Sequence, residues 1–305
     1  MKAGSQIVQS GGASTSTAQT LIFGSTGTAG SGDGALVRVS GNTNATITRL
    51  GRSSSTLPDL LIGAGVVLQG ASLVLDTSYA ASLDSTAVLN SSAVSLNTGS
   101  MVLQLDDTAV VPPTTGLVLS GTVLQSLQHV SSLSLLSYST LDIYGAGQMG
   151  DASLVNLALH AGQIRGFSQG GGTAAFVAQN ILVDNSGNAA NGAAVAGNGT
   201  LSFTAGVIRL GNGALQVNQF AAVQMQASAG VQLEGSGGFA TNGTMTITTP
   251  VIAGLAGAVQ SIRSDGALMI QAPVAAATQT MTVKKVVTAE FHIRSGRFDW
   301  VQMAM

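Results

Sequence analysis

Three aspartates are the residues of this chain whose type and spacing could carry out chemistry. Asp59, Asp84 and Asp106 recur at intervals of 25 and 22 residues. Carboxyl groups stacked on neighbouring strands can act as general acid and base in glycoside cleavage, or hold a cation. Against this use, no Lys or Arg lies between Arg52 and Arg165, and aromatic residues, which stack on sugars, make up only 4% of the chain. We predict that the three aspartates form turns, and carbohydrate cleavage is kept as the alternative.

The histidines predict no metal centre. His129, His160 and His292 are isolated, and none has a partner at a metal-ligand spacing such as H-x-x-x-H. With no cysteine, a thiolate site and a disulfide framework are both excluded. Spacing identifies no set of Ser, His and Asp that could act as a nucleophilic triad. The sequence therefore predicts no catalytic, cofactor-binding or metal-ligating residues and no cofactor.

Two glycine-rich motifs resemble ligand sites. Gly145, Gly147 and Gly150 follow a short strand pattern in G-x-G-x-x-G order, but the next residues, "DASLVNLALHAG", resume strand triplets where a dinucleotide site needs a helix. The stretch "GSGDGALV" from Gly30 occurs once, whereas calcium-binding β-rolls share ligands between tandem copies. Both stretches are predicted to be corners or loops.

The composition of the chain limits the classes of partner that it is expected to bind. The chain has 305 residues, 45% of them hydrophobic and 8% charged, with a net charge of −2, so no field attracts nucleic acid or an anionic membrane surface. Its mean hydropathy is +0.40, yet the longest nearly apolar run, "LLIGAGVVL" from Leu60, is too short to span a membrane. The N-terminal residues contain no signal-peptide core. We therefore expect a substantial buried core and neither a nucleic-acid partner nor a membrane-spanning segment.

A short pattern repeats along the chain: two apolar residues flank one polar residue. Because alternate side chains of a strand point to opposite faces, each triplet places two residues in a core and one outside. Gly residues lie between the triplets, where tight corners need them. The clearest examples are Leu201-Ser202-Phe203, Ile208-Arg209-Leu210, Leu215-Gln216-Val217, Val223-Gln224-Met225 and Val231-Gln232-Leu233.

A longer period groups these strands in threes. Similar positions recur at Ile181, Leu201, Val223, Met245 and Leu268, in steps of 20 to 23 residues. This period predicts an all-β fold, a right-handed single-stranded parallel β-helix with three strands in each rung of about 20–24 residues. A rung here is one circuit of the chain. Roughly a dozen rungs would fit, which gives a rod about 60 Å long.

The predicted division of the chain into segments follows the extent of the strand-triplet repeat. Residues 1–34 are predicted to be a Gly/Ser/Thr-rich leader or cap, residues 35–280 the β-helical shaft, and residues 281–305 a tail that could form a capping hairpin. Loops are predicted at 106–116, 166–175 and 184–199, where the triplets are interrupted.

The repeat region resembles that of a known family. The runs "SLSLLSYSTLDIYGAGQMGDASLVNLALHAGQIRG", "GTLSFTAGVIRLGNG" and "GALMIQAP" are similar to the repeats of filamentous-haemagglutinin-like large exoproteins of Gram-negative bacteria. The resemblance covers roughly residues 60–273 and rests on the style of the repeat. It implies a β-helical shaft that is secreted or exposed at the cell surface, in association with the outer membrane.

The resemblance also implies partners and roles. Proteins of this kind pass through an outer-membrane transporter by two-partner or autotransporter-type secretion, and act in adhesion, biofilm formation or toxin delivery. The expected function is therefore a structural or adhesive shaft without catalytic activity, whose partners are surface glycans or proteins of a host or neighbouring cell. The alternative is a glycan-cleaving β-helix of the phage-tailspike or polysaccharide-lyase type.

Overall fold

The computed structural model describes residues 1–11, 19–42, 45–53, 56, 58–111, 116–273, 282–284 and 290–298, the last two ranges as backbone only. Its strands are short, and almost all of them pair in parallel with a strand about one rung away in sequence. The result is a parallel β-solenoid of about 11 turns. The β-helix with three strands per rung predicted from the repeat is confirmed.

The first strands of the chain are β1 (Gln6–Val8), β2 (Gln19–Phe23), β3 (Ala35–Ser40), β4 (Ala45–Arg49), β5 (Asp59–Ile62) and β6 (Val67–Gln69). The last two of these begin the repeat, because each pairs in parallel with a strand about one rung later. The next elements are β7 (Ser72–Thr77), β8 (Ala80–Leu83), β9 (Val88–Asn90), β10 (Ala93–Thr98), β11 (Met101–Gln104), β12 (Leu117–Leu119) and the helix α1 (Gly121–Leu127).

The regular repeat then continues to the end of the described residues. Its strands are β13 (Ser132–Ser137), β14 (Thr140–Tyr144), β15 (Gly147–Met149), β16 (Asn156–His160), β17 (Gln163–Phe167), β18 (Thr173–Val177), β19 (Asn180–Asp184) and β20 (Gly199–Leu210). They are followed by β21 (Gly213–Asn218), β22 (Phe220–Leu233), β23 (Ser236–Thr241), β24 (Thr244–Thr248), β25 (Val251–Gly254), β26 (Val259–Gln271), β27 (Thr282–Lys284) and β28 (Glu290–Phe298).

The strands stack into three faces. Face A consists of β7, β10, β13, β16, β19, the second halves of β20 and β22, β25 and β27. Face B contains β11, β14, β17, β21, β23 and the first half of β26. Face C contains β15, β18, the first halves of β20 and β22, β24 and the second half of β26.

Apolar side chains fill the interior in columns that run along the axis. On face C, Leu201, Val223, Met245 and Leu268 pair in successive rungs and are all buried. The prediction that these four share an inner column is confirmed, but Ile181 does not belong to it. Ile181 pairs with Ile208 on face A, because a spacing of 20 residues does not distinguish one face from the next when strands recur every seven or eight residues.

One rung departs from the regular order. β12 pairs with β11 on one side and lies against β8 on the other, so a strand that comes later in sequence is inserted between two earlier ones. The helix α1 follows and packs against β9, with Val123, Leu124 and Leu127 buried. This helix was not predicted from the sequence, although Val123, Leu124, Leu127 and Val130 have the spacing of an apolar helix face.

The N-terminal strands cover one side and one end of the solenoid. β3 pairs antiparallel with β7, and β1 pairs in parallel with β6. β2 and β4 form a separate parallel pair, in which Ala45 and Ile47 pack on the outward side chain of Val74. This two-stranded sheet therefore lies over the outer surface of face A.

The C-terminal strands continue the stack. β28 pairs in parallel with β26, with one shift in register between Ser264 and Ala267, and its backbone runs as one strand through the segment where the hairpin was predicted to turn. Residues 299–305, which would form most of the second arm, lie outside the described residues. The division into leader, shaft and tail stays a prediction.

The predicted loops and corners can be compared with the structure. The segment between β19 and β20 is irregular, as predicted, whereas β17 and β18 extend into the predicted 166–175 loop and leave only a short corner. Gly145 and Gly150 have φ angles of 75° and 78°, and a Cβ on Gly150 would lie 2.3 Å from the carbonyl oxygen of Val177. Both glycines are required by the corners, as the sequence indicated.

Candidate functional site

The three spaced aspartates are not brought together as a carboxylate cluster. Asp59 begins β5 and is in register with Ala80 of β8, whereas Asp84 follows the other end of β8. Four residues of strand separate these two positions, or about 13 Å. Asp106 follows β11, and β12 lies between β8 and β11. Sequence spacing close to one rung therefore did not bring these carboxylates side by side: Asp59 and Asp84 lie at opposite ends of the paired strands β5 and β8.

Asp84 and Asp106 each close a turn of the form Asp-x-Thr. The Oδ1 atom of Asp84 accepts hydrogen bonds from the backbone N–H and the hydroxyl of Thr86, at 2.9 and 2.6 Å. Asp106 accepts the same pair from Thr108 at 2.8 and 2.7 Å. The hydroxyl bond first, and then the backbone bond, hold the pKa of each carboxyl below its ordinary value. A lowered pKa suits a turn and is the opposite of what a general acid needs.

The G-x-G-x-x-G and calcium-like motifs also have local roles. The corner glycines of the first motif are accounted for above. In the second, Asp33 Oδ1 accepts the backbone N–H of Ser53 at 3.1 Å, which joins two loops at the N-terminal end. Among the described residues, no group of three or more His, Cys, Asp or Glu side chains could hold a metal ion.

A groove lies on the outer surface of face A, beside β4. Its volume is 480 Å³, within the range of ordinary ligand pockets, about 300–1,000 Å³. Outward side chains of β10 and β13, among them Ser95 and Ser134, line it, and β4 forms one wall. The turn formed by residues 186–188 forms the opposite wall. No residue of this groove was singled out as functional from the sequence except His160.

One end of the groove rests on a buried polar cluster centred on Asp76. The Asp76 carboxylate is fully buried and forms an ion pair with Arg49, whose side chain is 1% exposed. Its second oxygen accepts hydrogen bonds from Asn97 Nδ2 at 2.9 Å and from the Tyr138 hydroxyl at 3.0 Å. The guanidinium of Arg52 stacks 3.9 Å from the centre of the Tyr138 ring. The cluster joins β4 to three successive rungs of face A.

Each side chain of the Asp76 cluster forms an ion pair, a hydrogen bond or a stacking contact with another side chain of the cluster. Arg49 also donates to the carbonyl oxygen of Gly32 at 2.7 Å, and its guanidinium lies 5.0 Å from the ring centre of Phe23. A nucleophile or general base needs a free lone pair on a reacting atom, and both Asp76 oxygens are already paired. We conclude that the cluster fastens the N-terminal sheet to the shaft.

The Tyr138 hydroxyl gives the cluster a pH dependence. Burial, and then the neighbouring Asp76 carboxylate, raise the pKa of Tyr138 well above its ordinary value of 10.0. Because the folded-state pKa is raised, the stability contributed by the protonated phenol is complete below pH 10 and is lost above it, by about 1.4 kcal/mol per pH unit until the raised pKa is reached. The Tyr138→Phe variant is expected to be less stable at pH 8 and to lose stability less steeply above pH 10. Urea unfolding at pH 8, 10 and 11 measures both effects, and equal slopes would contradict this assignment.

His160, Asp184 and Ser186 belong to the wall of the groove that lies opposite β4. His160 Nδ1 lies 2.5 Å from Asp184 Oδ1 and 3.1 Å from Ser186 Oγ. Both partners meet the same ring nitrogen, whereas a catalytic triad needs the serine and the carboxylate on different nitrogens. The trio therefore fastens the start of the loop between β19 and β20 to β16. The register that pairs His160 with Asp184 could have been found from their 24-residue spacing.

Asp184 makes this attachment sensitive to acid. Burial would raise the pKa of Asp184, but hydrogen bonds from His160 and Ser186 outweigh burial and hold the pKa below its ordinary 3.8. Since the folded-state pKa is lowered, the contribution to stability is complete well above pH 3.8 and is lost as the pH falls through the folded-state value. Asp184→Asn is expected to cost about 1–3 kcal/mol at pH 7 and less at pH 3. Guanidinium unfolding at the two pH values tests this expectation, and a cost that does not change with pH would refute it.

Two further ion pairs lie outward along the shaft and link its rungs. Arg165 pairs with Asp142 at 2.6 Å on face B, and Arg209 pairs with Glu234 at 2.5 Å on face A. The outward position predicted for Arg209 is confirmed, since its side chain is 42% exposed. The Arg165–Asp142 and Arg209–Glu234 pairs join adjacent rungs.

Comparison with known proteins returned no match to a family profile, a curated sequence or a solved structure. In the part of the chain that the structure describes, no helix is long and apolar enough to cross a membrane. A parallel β-solenoid is compatible with many functions, so a function for this chain has to be argued from its surface.

Proposed function

We propose that this chain is a structural and adhesive shaft segment of a large secreted or cell-surface bacterial exoprotein, without catalytic activity of its own. The observation that carries the proposal is the continuous stack of about 11 turns, whose interior is closed by apolar columns. Such a stack holds a fixed length, about 50 Å at 4.8 Å per rung, without needing a ligand or a metal. The resemblance of the repeats to filamentous-haemagglutinin-like exoproteins supplies the context of secretion and adhesion.

The way in which the chain uses its charges supports this role. Asp76, Asp142 and Glu234 are each paired with an arginine on a nearby strand. Asp84 and Asp106 close turns. These five acidic groups are therefore committed to ion pairs and turns of the shaft. Outward positions of the strands carry uncharged side chains such as Ser134, Gln224 and Thr246, which suit weak, repeated contacts.

The proposal is tested in two steps on the purified chain. Small-angle X-ray scattering is expected to give an elongated particle whose rod length matches about 11 rungs. Beads coated with the chain are then expected to bind bacterial or host cells, and the soluble chain should compete for that binding. Beads coated with heat-denatured chain provide the control. If the coated beads bind no cell surface, the adhesive part of the proposal is wrong, and only the role of a structural spacer remains.

The glycan-cleaving alternative has its own test. Incubation with bacterial polysaccharides, followed by a reducing-end assay, is expected to show no release. Release of reducing ends that is lost in an Asp84→Asn or Asp106→Asn variant, while the melting temperature stays the same, would replace the shaft proposal with the enzymatic one.

A further inference from the structure

One edge of β4 is free. β4 pairs with β2 and with no other strand among the described residues. The backbone N–H of Leu50, just after β4, donates to the carbonyl oxygen of Phe23 at 2.9 Å, which fixes the alternation along the strand. Thr46 and Thr48 therefore direct their backbone groups towards β2. The N–H and C=O groups of Ala45, Ile47 and Arg49 point the other way, into the groove.

The backbone groups of Ala45 and Ile47 are in a sheltered position. Ala45 is 7% exposed and Ile47 is 6% exposed. Within the described chain, no residue forms a hydrogen bond with the backbone N–H or C=O of Ala45, Ile47 or Arg49 on the groove side. Buried backbone polar groups are nearly always paired. A row of such groups along a strand edge is therefore a ready template for another strand.

The groove has the position and orientation that an added strand needs. At one end, Ser72 Oγ donates to the carbonyl oxygen of Asn42, just before β4, at 2.7 Å, and at the other end Arg49 Nε bonds to Asp76 at 2.5 Å. β4 thus runs along β7. A neighbour at the usual strand spacing of about 4.8 Å would lie above β10, whose outward side chains include the small Ser95.

The turn 186–188, which forms the wall opposite β4, limits the width of the segment that can enter the groove. A Cβ on Gly187, in the turn 186–188, would lie 3.6 Å from the ring of Tyr138 and 3.8 Å from Leu136, so this turn packs down onto β13 and its corner. Between β4 and the turn there is room for a single extended segment. A strand that is already part of a sheet, such as β2 of a second copy, would bring its neighbour with it and meet this wall.

The charge of the groove defines the chemistry of the occupant. Its charged side chains are Arg49 and Asp184, and both are paired, with Asp76 and His160 respectively. The other side chains on the floor are neutral, and Leu136 and Leu182 add apolar area beside Ser134. A charged ligand side chain would lose its hydration here and gain no counter-charge. Neutral side chains complement such a surface.

We propose that this groove binds one extended, uncharged peptide segment of a partner protein, which pairs with the free edge of β4 as an added strand. Main-chain hydrogen bonds to Ala45, Ile47 and Arg49 supply the affinity, and the floor of face A accepts alternate side chains. The inference goes beyond the shaft proposal, since a shaft is complete without an occupied groove. The groove proposal is tested by peptide binding, whereas the shaft proposal is tested by cell binding and by the length of the rod. Either proposal can therefore fail while the other holds.

The test uses a fluorescein-labelled heptapeptide in which valine alternates with glutamine, blocked at both ends, and measures anisotropy with the purified chain. Two further peptides carry N-methyl groups on the odd or on the even residues. Because an added strand presents alternate N–H groups to β4, one methylated peptide should lose about tenfold or more in affinity, and the other should bind within about twofold of the parent. The peptide that fails also reports the direction of the strand.

Hydrogen exchange reports the same contact from the protein side. The peptide is expected to slow exchange of the Ala45, Ile47 and Arg49 amides and to leave Thr46 and Thr48 unchanged. Ser134→Tyr, which fills the floor of the groove, should weaken binding about tenfold or more, and Thr246→Tyr on face C serves as the matched control. Both variants should retain the melting temperature of the parent, because both positions face outward and are only partly buried.

Three results would overturn the proposal. The first is no binding of the parent peptide at millimolar concentration. The second is equal affinity of the two methylated peptides, whether both bind or both fail. The third is protection of Ala45, Ile47 and Arg49 without peptide that increases with protein concentration, which would identify a second copy of the chain as the occupant.

Discussion

Phe203→Asp is expected to prevent the chain from folding. Phe203 is fully buried on the inner side of face C, where its ring lies 5.8 Å from that of Phe176 and 6.4 Å from that of Phe239. Replacing a buried Phe with Ala alone costs about 3–5 kcal/mol, and an unpaired carboxylate in an apolar interior adds a further desolvation cost. The total is comparable with the whole stability of an ordinary domain, about 5–15 kcal/mol.

Far-ultraviolet circular dichroism after refolding measures this effect. Thr204→Asp is the matched control, because Thr204 is adjacent in β20 and its side chain faces outward and is partly exposed. The control should refold with a strand spectrum and a melting temperature within a few degrees of the parent. Leu210→Asp, which also places a carboxylate in the interior, should behave like Phe203→Asp. Cooperative melting of either inward variant at the parental temperature would mean that the interior is placed wrongly.

Asp76→Ala is expected to destabilise the chain by about 3–5 kcal/mol, because removing one partner leaves a buried charge uncompensated. The Arg49 guanidinium, 1% exposed, would lose its counter-ion. Asn97 and Tyr138 would each lose a hydrogen-bond acceptor. The loss of stability should be largest in the β2–β4 sheet, because Arg49 is the charged residue that attaches this sheet to the rungs. Urea unfolding measures the change in the free energy of unfolding. Faster hydrogen exchange in β2 and β4 than in the rungs would show that the loss of stability is local to this sheet.

Two comparisons make the Asp76 result specific. Asp142→Ala removes the carboxylate of another ion pair, but Arg165 is about a third exposed, so a cost of only about 0–1 kcal/mol is expected. The double variant Arg49→Met with Asp76→Leu removes both charges and is expected to recover most of the stability. Equal costs for Asp76→Ala and Asp142→Ala would show that burial of the Asp76 cluster does not matter.

The strongest sequence predictions concerned the rungs. The triplets around Phe203, Ile208 and Leu215 are strands whose outer two residues are buried, as the alternation required. Strand periodicity is a local property, because the side-chain direction follows from the backbone of the same few residues. Corner glycines such as Gly150 are local in the same sense, since a positive φ excludes most other residues.

Besides the missed helix α1 and the 166–175 loop, two errors concerned relations between distant segments. Ile181 was assigned to the wrong face, and the insertion of β12 between β8 and β11 was not foreseen. Both depend on how many residues each corner and loop uses, and the segment between β11 and β13 is far longer than one regular corner. Sequence spacing measures path length along the chain, whereas strand neighbours are set by where each loop returns.

The sequence by itself determined the solenoid: a repeat of three strands per rung, an apolar interior and glycine corners. Only the tertiary structure decided which polar residues meet. Tyr138 reaches Asp76 across 62 positions in sequence, and Arg49 arrives from a sheet outside the repeat. The groove beside β4 exists for the same reason. Its walls come from segments that no repeat relates, so their contact depends on the packing of the N-terminal sheet against the rungs.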